Sequence, residues 1–373
     1  MSRHHSLRLG SGQETGSLLR RAGRMEDAHA TRSGWRQSRD TEAPAGYSVR
    51  VMKAAVYYET GPPSVFKYED VPDPAYADDG VLIDVEAVSI EGGDTLNRAG
   101  GPMPAKPHIV GYQCGGAIRE VGANVSDRSV GQRVVAAMAF GSHAEIVAVP
   151  ANATWLVPDG MDIQQAAAIP IAFGTADDCL FEFGKLQKGE TVLIQAGAGG
   201  VGLAAIQLAK RAGATVLATA SSDEKLERLK EFGLDHGINY KTGDFIERAR
   251  ELTGGNGVDL VVDSVGGKTL EGSLASLKYR GRAISVGSAG RDDTKPDLGM
   301  LSAGNRSLTG VFLGAELAMQ RDRTYAMIAR HIEDVAKGEL RVNIDRTFPL
   351  SDAAGAHEYI ESRQAFGRVV LVP

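Results

Sequence analysis

Short apolar runs, separated by turn residues, dominate the chain from Met52 to about Phe173. The separating residues are mainly Gly, Pro, Asp and Asn. Runs of this length and spacing predict β-strands joined by tight turns, and therefore a β-rich first domain. The runs that support this prediction are KAAVYY, VLIDVEAVSI, GGAIREVG, QRVVAAMA and AEIVAVP.

The pattern changes near residue 162, where helical spacing of apolar positions appears between short apolar runs. Asp162 is a suitable N-cap for a helix that Pro170 would end. Further helices are expected from about Thr175 to Gly184 and over about 316–337. Strands that alternate with helices of about 10–15 residues predict a parallel, doubly wound α/β sheet. The strand-like runs are TVLIQ, TVLATA, INY, VDLVVDS and RAISVG.

Composition and charge exclude several classes of protein. No apolar run approaches the roughly 20 residues of a membrane span, so we expect no membrane partner. Cys114 and Cys179 are the only cysteines, which excludes a disulfide scaffold and a four-cysteine zinc site, and favours a cytoplasmic location. The net charge is −6 although residues 1–51 are basic, so the remainder is strongly acidic. An acidic body argues against nucleic acid as the main partner.

Residues 1–51 form a separate basic extension, with nine arginines, five acidic residues and almost no apolar periodicity. We expect this extension to be disordered. A targeting peptide and a basic arm for nucleic acid are alternatives. Acidic residues from Glu14 onward and the scattered arginines favour the third alternative, an unfolded segment before a natural start at Met52.

A glycine-rich loop, AGAGGVG, provides the most specific chemistry in the sequence. The six residues from Gly197 to Gly202 match G-x-G-x-x-G, follow a predicted strand and open a helix, as in dinucleotide-binding folds. In that motif Gly197 permits the tight turn, Gly199 lets the backbone approach a pyrophosphate, and Gly202 allows helix and strand to pack closely. The remaining positions, Gly200 and Val201, begin the helix, whose free N–H groups and dipole favour the phosphate charge.

The tip of the next strand indicates which dinucleotide is bound. An NAD site places Asp or Glu there, whereas this strand ends in Ser221 and Ser222, with Lys225 one turn later. Hydroxyl groups and a lysine suit a 2′-phosphate, because charge-assisted hydrogen bonds to phosphate are strong. We therefore predict NADPH rather than NADH. The alternative is that Ser222 only caps the helix and Lys225 is solvated.

From Met52 to Pro373 the chain resembles the medium-chain dehydrogenase/reductase superfamily, and within it the zinc-independent quinone oxidoreductases, the zeta-crystallin-like branch. The resemblance implies a GroES-like β-barrel domain over residues 52–173 and 310–373. It implies a Rossmann domain, a doubly wound parallel sheet, over residues 174–309, with the active site between the two domains. The motifs that carry it are MKAAVYYETG, DTLNRAG, GSHAE, AAAIPIAFGTA, KLQKGETVLIQAGAGGVGLAAIQLAK, INY, DLVVDSVGG and GVFLG.

The same resemblance assigns further cofactor contacts. It places Thr175 near the nicotinamide and Tyr240 near the adenosine 2′-phosphate, with Ser222 and Lys225 at phosphate-binding positions. Strand ends that lie along the nicotinamide, and a basic residue near the cofactor, correspond to Ser264, Val265, Phe312, Leu313 and Arg368.

The resemblance also predicts an enzyme without a metal. The three catalytic zinc ligands of the related alcohol dehydrogenases correspond here to Glu91, Tyr112 and Ile171, of which only the glutamate is a zinc ligand. Without a Lewis acid, the enzyme suits acceptors that already accept hydride readily, such as quinones or C=C bonds conjugated to a carbonyl.

Glu91 is the sharpest departure from the family pattern. Quinone reductases of this group commonly have Asn in an N-P-V-D run, where this chain reads I-E-G-G-D over residues 90–94. Glu91 is either a general acid with a raised pKa, a hydrogen-bonding residue that replaces Asn, or a solvated loop glutamate.

A second departure concerns the substrate wall. The family's aromatic residue in the T-Y-x-R run is Leu96 here, whereas Arg98 is retained. We therefore predict Glu91, Arg98 and Tyr57 as the catalytic residues, with Tyr112 and His143 as other residues that could line the cleft.

Together these features predict an NADPH-dependent reductase of quinones or α,β-unsaturated carbonyl compounds. The alternative is a non-catalytic NADPH-binding protein with a regulatory or RNA-binding role, as some members of this group have. The GVFLG segment resembles the edge strand through which family members pair, so a homodimer is expected.

Overall fold

The computed structural model describes residues 50–373. The predicted disordered extension over residues 1–51 therefore lies, apart from its last two residues, outside the described residues. None of the described helices is both long and apolar enough to cross a membrane.

The first domain is built on a mostly antiparallel sheet, which residues 344–372 complete with two strands that are parallel to each other. Within residues 50–373 this sheet has seven strands in the order β14-β15-β3-β4-β5-β7, with β6 paired to β3. A separate hairpin, β1 (Val51–Val56) and β2 (Lys67–Pro72), packs beside it. The strands of the sheet are β3 (Gly80–Ser89), β4 (Gln113–Val121), β5 (Arg133–Ala137), β6 (Ile146–Pro150), β7 (Thr154–Leu156), β14 (Ile344–Pro349) and β15 (Arg368–Val372).

The second domain is the predicted doubly wound sheet. Its six described strands are all parallel, in the order β10-β9-β8-β11-β12-β13. The edge strand β13 ends at Gly310, the first residue of the GVFLG segment, and pairing of two chains through this edge stays a prediction. The strands are β8 (Thr191–Ile194), β9 (Thr215–Ala220), β10 (His236–Asn239), β11 (Val258–Asp263), β12 (Leu277–Ser285) and β13 (Ser307–Gly310).

Helices cover both faces of the parallel sheet and close the ends of the first sheet. They are α1 (Gly92–Gly100), α2 (Ile163–Ala167), α3 (Pro170–Asp177), α4 (Gly200–Arg211), α5 (Asp223–Leu229), α6 (Phe245–Leu252), α7 (Gly267–Ser276), α8 (Gly299–Gly304), α9 (Leu313–Met319), α10 (Arg321–Ala336) and α11 (Ala353–Glu361). Single 3₁₀ turns occupy Pro63–Val65, Ala151–Ala153, Lys230–Phe232 and Leu350–Asp352, and a π-helical turn occupies Asp178–Glu182.

Two predicted helices differ from those observed. Pro170 follows α2 as expected, but it also begins α3, because the first turn of a helix needs no N–H from its proline. The long helix predicted over 316–337 is two helices, α9 and α10, since Gln320 between them leaves the helical conformation.

Ion pairs fix α10 against α3. Asp177 accepts a hydrogen bond from His331 at 2.9 Å, and Asp178 pairs with Arg323 at 2.7 Å. Because α3 begins at Pro170 rather than near Thr175 as predicted, both aspartates lie at its C-terminal end. The helices after β13 thus pack on the second domain. The chain therefore returns to the first domain's sheet at β14, and not at residue 310, the predicted domain boundary.

A buried histidine pair closes the first domain near α11. His143 and His357 are fully buried, and their Nε2 atoms lie 3.1 Å apart, so one nitrogen donates and the other accepts. Phe66 stacks on the His143 ring and meets the His357 ring edge to face. Burial lowers the pKa of His143 to about 3 and that of His357 well below its usual value. Both rings are therefore neutral in the folded protein.

We predict that this pair destabilises the protein in mild acid. The unfolded chain binds protons at these histidines below about pH 6.5, whereas the folded chain does not, so the free energy of unfolding decreases from pH 7 to pH 5. His357→Phe removes one titrating group and leaves an aromatic ring beside Phe66. Urea unfolding at both pH values should show a smaller decrease for the variant, and an equal decrease in both proteins would contradict the prediction.

Candidate functional site

A cleft of about 1820 Å³ lies between the two sheets. One wall is formed by residues at the carboxyl ends of the parallel strands, where α/β sheets bind ligands. The opposite wall comes from α1, the segment before β4 and the segment after β5. The strand-end residues are Gln195 after β8, Ser221 after β9, Tyr240 after β10, Ser264 after β11, Val286 after β12 and Val311 after β13.

The glycine loop presents its backbone to this cleft. A Cβ at Gly199 would meet only the carbonyl oxygen of Ala196, at 3.3 Å, so the space in front of this backbone is open. A Cβ at Gly202 would lie 2.4 Å from that same oxygen, so only glycine allows α4 to approach the end of β8 this closely. Gly200 and Val201 also line the cleft, whereas Gly197 packs against Ala218 of β9 instead.

Asp263, which the sequence analysis did not single out, holds one of the loops that face the cleft. Its Oδ1 accepts hydrogen bonds from the backbone N–H groups of Val265 and Gly266, both at 2.8 Å. Its Oδ2 accepts a hydrogen bond from the Ser273 hydroxyl at 2.7 Å. Burial raises the pKa of this carboxyl, and these hydrogen bonds oppose the rise.

The same network continues under the glycine loop. Gln195 donates to the Ser273 hydroxyl at 3.1 Å and accepts from the Thr219 hydroxyl at 2.7 Å. Thr219 in turn accepts from the backbone N–H of Ala196 at 3.1 Å. These buried side chains therefore fix three strand-end loops at once. The sequence signal for them is a polar residue at the end of an otherwise apolar strand, as in TVLIQ and VDLVVD.

One end of the cleft carries the predicted 2′-phosphate residues. Ser221, Lys225 and Tyr240 line it together, as does Arg363, which sequence reasoning missed. Lys225 Nζ donates to the Arg363 and Ala365 carbonyl oxygens at 2.8 and 2.9 Å, which orients the ammonium and leaves one N–H for a ligand. Ser222 lies outside the lining, and its hydroxyl caps α5 by accepting from the Lys225 N–H at 3.3 Å.

The predicted nicotinamide residues line the other end of the cleft. Thr175 faces it from α3, Ser264 and Val265 follow β11, and Phe312 and Leu313 follow β13. Together with the open backbone at Gly199 and the cationic end at Lys225, these residues fit an extended dinucleotide that carries a 2′-phosphate.

Glu91 lies at the base of the cleft in a buried ion pair with Arg368. One carboxylate oxygen accepts from Arg368 Nη1 at 3.1 Å, and the other from Arg368 Nη2 and from Gln113 Nε2. Burial raises the pKa of Glu91, and Arg368 offsets part of the rise. Glu91 is 5% exposed, so the alternative of a solvated loop glutamate is wrong. Because both oxygens are occupied, the geometry favours the hydrogen-bonding role.

Arg368 also touches the glycine loop. A Cβ at Gly200 would lie 2.0 Å from Arg368 Nη1, so the guanidinium fills the space beside the start of α4. Its other nitrogen atoms donate to the Ser89 hydroxyl at 3.0 and 2.8 Å and to the Ile90 carbonyl oxygen at 2.7 Å. Arg368 therefore joins the first domain, at Ser89 and Ile90, to the glycine loop of the second domain.

The structure places two predicted catalytic residues outside the cleft lining. Tyr57 is fully buried at the end of β1, with its ring packed against Phe66 and His108 at centroid distances of 5.7 and 5.2 Å. Arg98 is fully buried because α1 turns its side chain away from the cleft. There its guanidinium donates to the Gly61 carbonyl oxygen at 2.6 Å. His143 lies in the histidine pair described above and does not line the cleft either.

Arg98 is linked to the cleft through Glu361. This glutamate lines the cleft from the end of α11 and pairs with both Arg98 and Arg291. Arg291 belongs to the loop after β12, and its Nη2 atom lies 2.6 Å from Glu361 Oε1. The glutamate thus bridges the two walls of the cleft, a role that sequence reasoning missed because the three residues are distant in sequence.

Within residues 50–373, no group of three or more His, Cys, Asp or Glu side chains is arranged to hold a metal ion. Glu91, Tyr112 and Ile171, which correspond to zinc ligands in related dehydrogenases, do line the cleft together. In this chain hydrogen bonds connect these three positions. Gln113, the residue after Tyr112, accepts from the Ile171 N–H at 3.0 Å and donates to Glu91.

Family models match both halves of the described chain. Residues 77–159 match the alcohol dehydrogenase GroES-like domain, and residues 200–331 match the zinc-binding dehydrogenase family.

Individual proteins match over nearly the whole of their length. A 2-haloacrylate reductase from a Burkholderia species is 34% identical over 335 residues, which cover 87% of this chain and 99% of that protein. A quinone oxidoreductase from Pseudomonas aeruginosa is 34% identical over 316 residues, 84% of this chain and 97% of that protein. The crystal structure of Escherichia coli quinone oxidoreductase complexed with NADPH matches with a TM-score of 0.82 and 31% identity, over 86% of this chain and all of that one.

We predict that the two charges at the base of the cleft depend on each other. Arg368→Met leaves the buried Glu91 without a counter-charge and should lower the free energy of unfolding by about 3–5 kcal/mol. Glu91→Gln combined with Arg368→Met removes both charges and should recover most of that loss. Guanidinium unfolding monitored by circular dichroism measures all three proteins.

Equal destabilisation by the single and the double variant would contradict this coupling. Glu91→Gln alone serves as the control and also tests catalysis. Unchanged turnover across pH in Glu91→Gln would exclude Glu91 as a general acid.

Proposed function

The chain belongs to the zinc-independent quinone oxidoreductase branch of the medium-chain dehydrogenase/reductase superfamily, and from this membership we propose that it reduces neutral quinones or α,β-unsaturated carbonyl compounds. It is an NADPH-dependent oxidoreductase. Bound NADPH supplies a hydride for the acceptor.

The chain's own residues position the cofactor and the acceptor for this hydride transfer. The backbone at Gly199 and the start of α4 receive the pyrophosphate, while Lys225 and Tyr240 receive the 2′-phosphate. The network from Asp263 to Thr219 holds the loops at the nicotinamide end in place before a ligand arrives. Preorganised contacts of this kind lower the entropy cost of bringing the two reactants together.

The proposed substrate class rests on an apolar wall of the cleft, beside which the charged side chains are paired with side chains of opposite charge. Among the described residues, the two arginines that line this part of the cleft are each paired with a carboxylate, Arg291 with Glu361 and Arg368 with Glu91. An anionic acceptor would therefore lose its hydration without gaining a counter-charge. The apolar side chains of this wall are Leu96, Met103, Met138, Phe140, Leu317 and Met319.

A matched pair of acceptors tests this proposal. 2-Chloroacrylate and its methyl ester share the same double bond but differ in charge. In an NADPH-oxidation assay, we expect kcat/KM for the ester to exceed that for the acid by about 10-fold or more, because burial of an unpaired carboxylate is costly. A naphthoquinone and a cyclic enone serve as further neutral acceptors.

A preference for the acid would overturn the neutral substrate class. NADPH binding, measured by quenching of intrinsic fluorescence, without oxidation by any of these acceptors would instead support the non-catalytic alternative.

We also predict that Lys225 selects the cofactor. Lys225→Ala removes the ammonium that faces the 2′-phosphate and should raise KM for NADPH by about 10- to 100-fold, the range of a charge-assisted hydrogen bond. KM for NADH, which lacks this phosphate, is the internal control and should change little. A similar rise for both cofactors would show that Lys225 acts only by holding the loop at Arg363.

A further inference from the structure

The Tyr112 hydroxyl is set up to donate a hydrogen bond into the cleft. Its phenol oxygen accepts a hydrogen bond from Asn97 Nδ2 at 2.8 Å. Within residues 50–373 the hydroxyl has no acceptor for its own hydrogen, which is therefore available to a ligand. Tyr112 lines the cleft and is only partly buried.

The backbone and the ring of Tyr112 are both fixed. Met138 N–H donates to its carbonyl oxygen at 2.8 Å, which ties the segment before β4 to the segment after β5. The ring lies against the first turn of α1, where a Cβ on Gly93 would come within 2.5 Å of Cε2. The next residue, Gln113, is bonded to the Ile171 N–H, one helical turn before Thr175 of the nicotinamide end.

We propose that Tyr112 is the proton donor to the carbonyl oxygen of the acceptor, with Asn97 as its positioning residue, an inference that rests on the function proposed above. Tyr112 thereby supplies a phenol from the segment before β4, whereas Leu96 of the neighbouring α1 has only an apolar side chain.

The polar groups that flank Tyr112 on its own side of the cleft have partners or lack access. Both Glu91 oxygens are held by Arg368 and Gln113, and Glu361 is paired with two arginines. The Thr95 hydroxyl donates to the Gly92 carbonyl oxygen at 2.8 Å.

His108, also in the lining, is 2% exposed between the rings of Tyr57 and Phe140. Burial lowers its pKa, so it is neutral. Tyr112 thus combines a free hydrogen with access to the cleft.

The proton transfer balances as follows. Hydride addition to the β-carbon of an enone moves the C=C electron pair toward the carbonyl oxygen, which becomes an oxyanion. The O–H bond of Tyr112 breaks as the proton passes to that oxygen, and the Asn97 N–H stabilises the phenolate left behind. Water then returns a proton to Tyr112, so the acceptor gains one hydride and one proton. Burial raises the pKa of Tyr112 to about 12, so the phenol is protonated at neutral pH.

Tyr112→Phe tests the proposal directly. We expect kcat for an enone to fall by about 10²-fold, as when one oxyanion donor is removed. NADPH affinity, measured by fluorescence quenching, should stay within about two-fold, because the variant leaves the cofactor wall intact. Tyr359→Phe is the matched control, since Tyr359 is also partly buried and also makes one side-chain hydrogen bond, to Asp345 at 2.7 Å, but does not line the cleft.

A second measurement does not depend on turnover. 4-Nitrophenolate mimics the oxyanion, and its absorption band shifts when its oxygen accepts a hydrogen bond. We expect the protein with NADP⁺ to shift this band and Tyr112→Phe to lose the shift. Asn97→Leu should lower kcat with little change in KM, because it affects the phenol rather than substrate binding.

The outcomes separate the two proposals. Turnover by Tyr112→Phe within two-fold of the parent protein, or an equal loss in Tyr359→Phe, would overturn the role of Tyr112. If the parent protein reduces neither enones nor quinones, the proposed function fails. The nitrophenolate shift then decides the Tyr112 proposal alone, in favour if the shift needs the hydroxyl and against if Tyr112→Phe retains it.

Discussion

The buried ion pair between Glu91 and Arg368 is the constraint on which the rest of the site depends. Two charges held away from water are tolerated only when their remaining hydrogen-bonding groups are satisfied, and here Ser89, Ile90 and Gln113 complete the set. The same guanidinium lies against Gly200 at the start of α4. One residue therefore contacts both walls of the cleft and sets the distance between them at its base.

The rest of the cleft divides into a polar and an apolar part. Under the strand ends, Asp263 holds the backbone N–H groups of Val265 and Gly266, and Gln195 links the hydroxyls of Thr219 and Ser273. The largest hydrophobic cluster runs from Trp155 in the first domain to Met327 on α10, which makes the contact between domains part of one core. A wall held by polar contacts at the strand ends thus faces a more apolar wall on the first domain.

Local sequence was sufficient for the strands, most helices and the glycine loop, because short apolar runs and turn residues encode them directly. It was insufficient where one residue has two structural roles, as at Pro170, which both ends one helix and begins the next. Local sequence also did not indicate which way these side chains point. Glu91 finds its partner 277 residues away, and the burial of Tyr57 and Arg98 depends on contacts that no local pattern records.

The position of Arg368 has a consequence for how the cleft can open. This arginine begins β15 of the first sheet, and the Gly367 N–H donates to the Ala198 carbonyl oxygen of the glycine loop at 2.8 Å. Movement of the two domains apart at this point would break that hydrogen bond and draw the guanidinium away from the start of α4. Residues 367 and 368 therefore restrain domain opening at the base of the cleft.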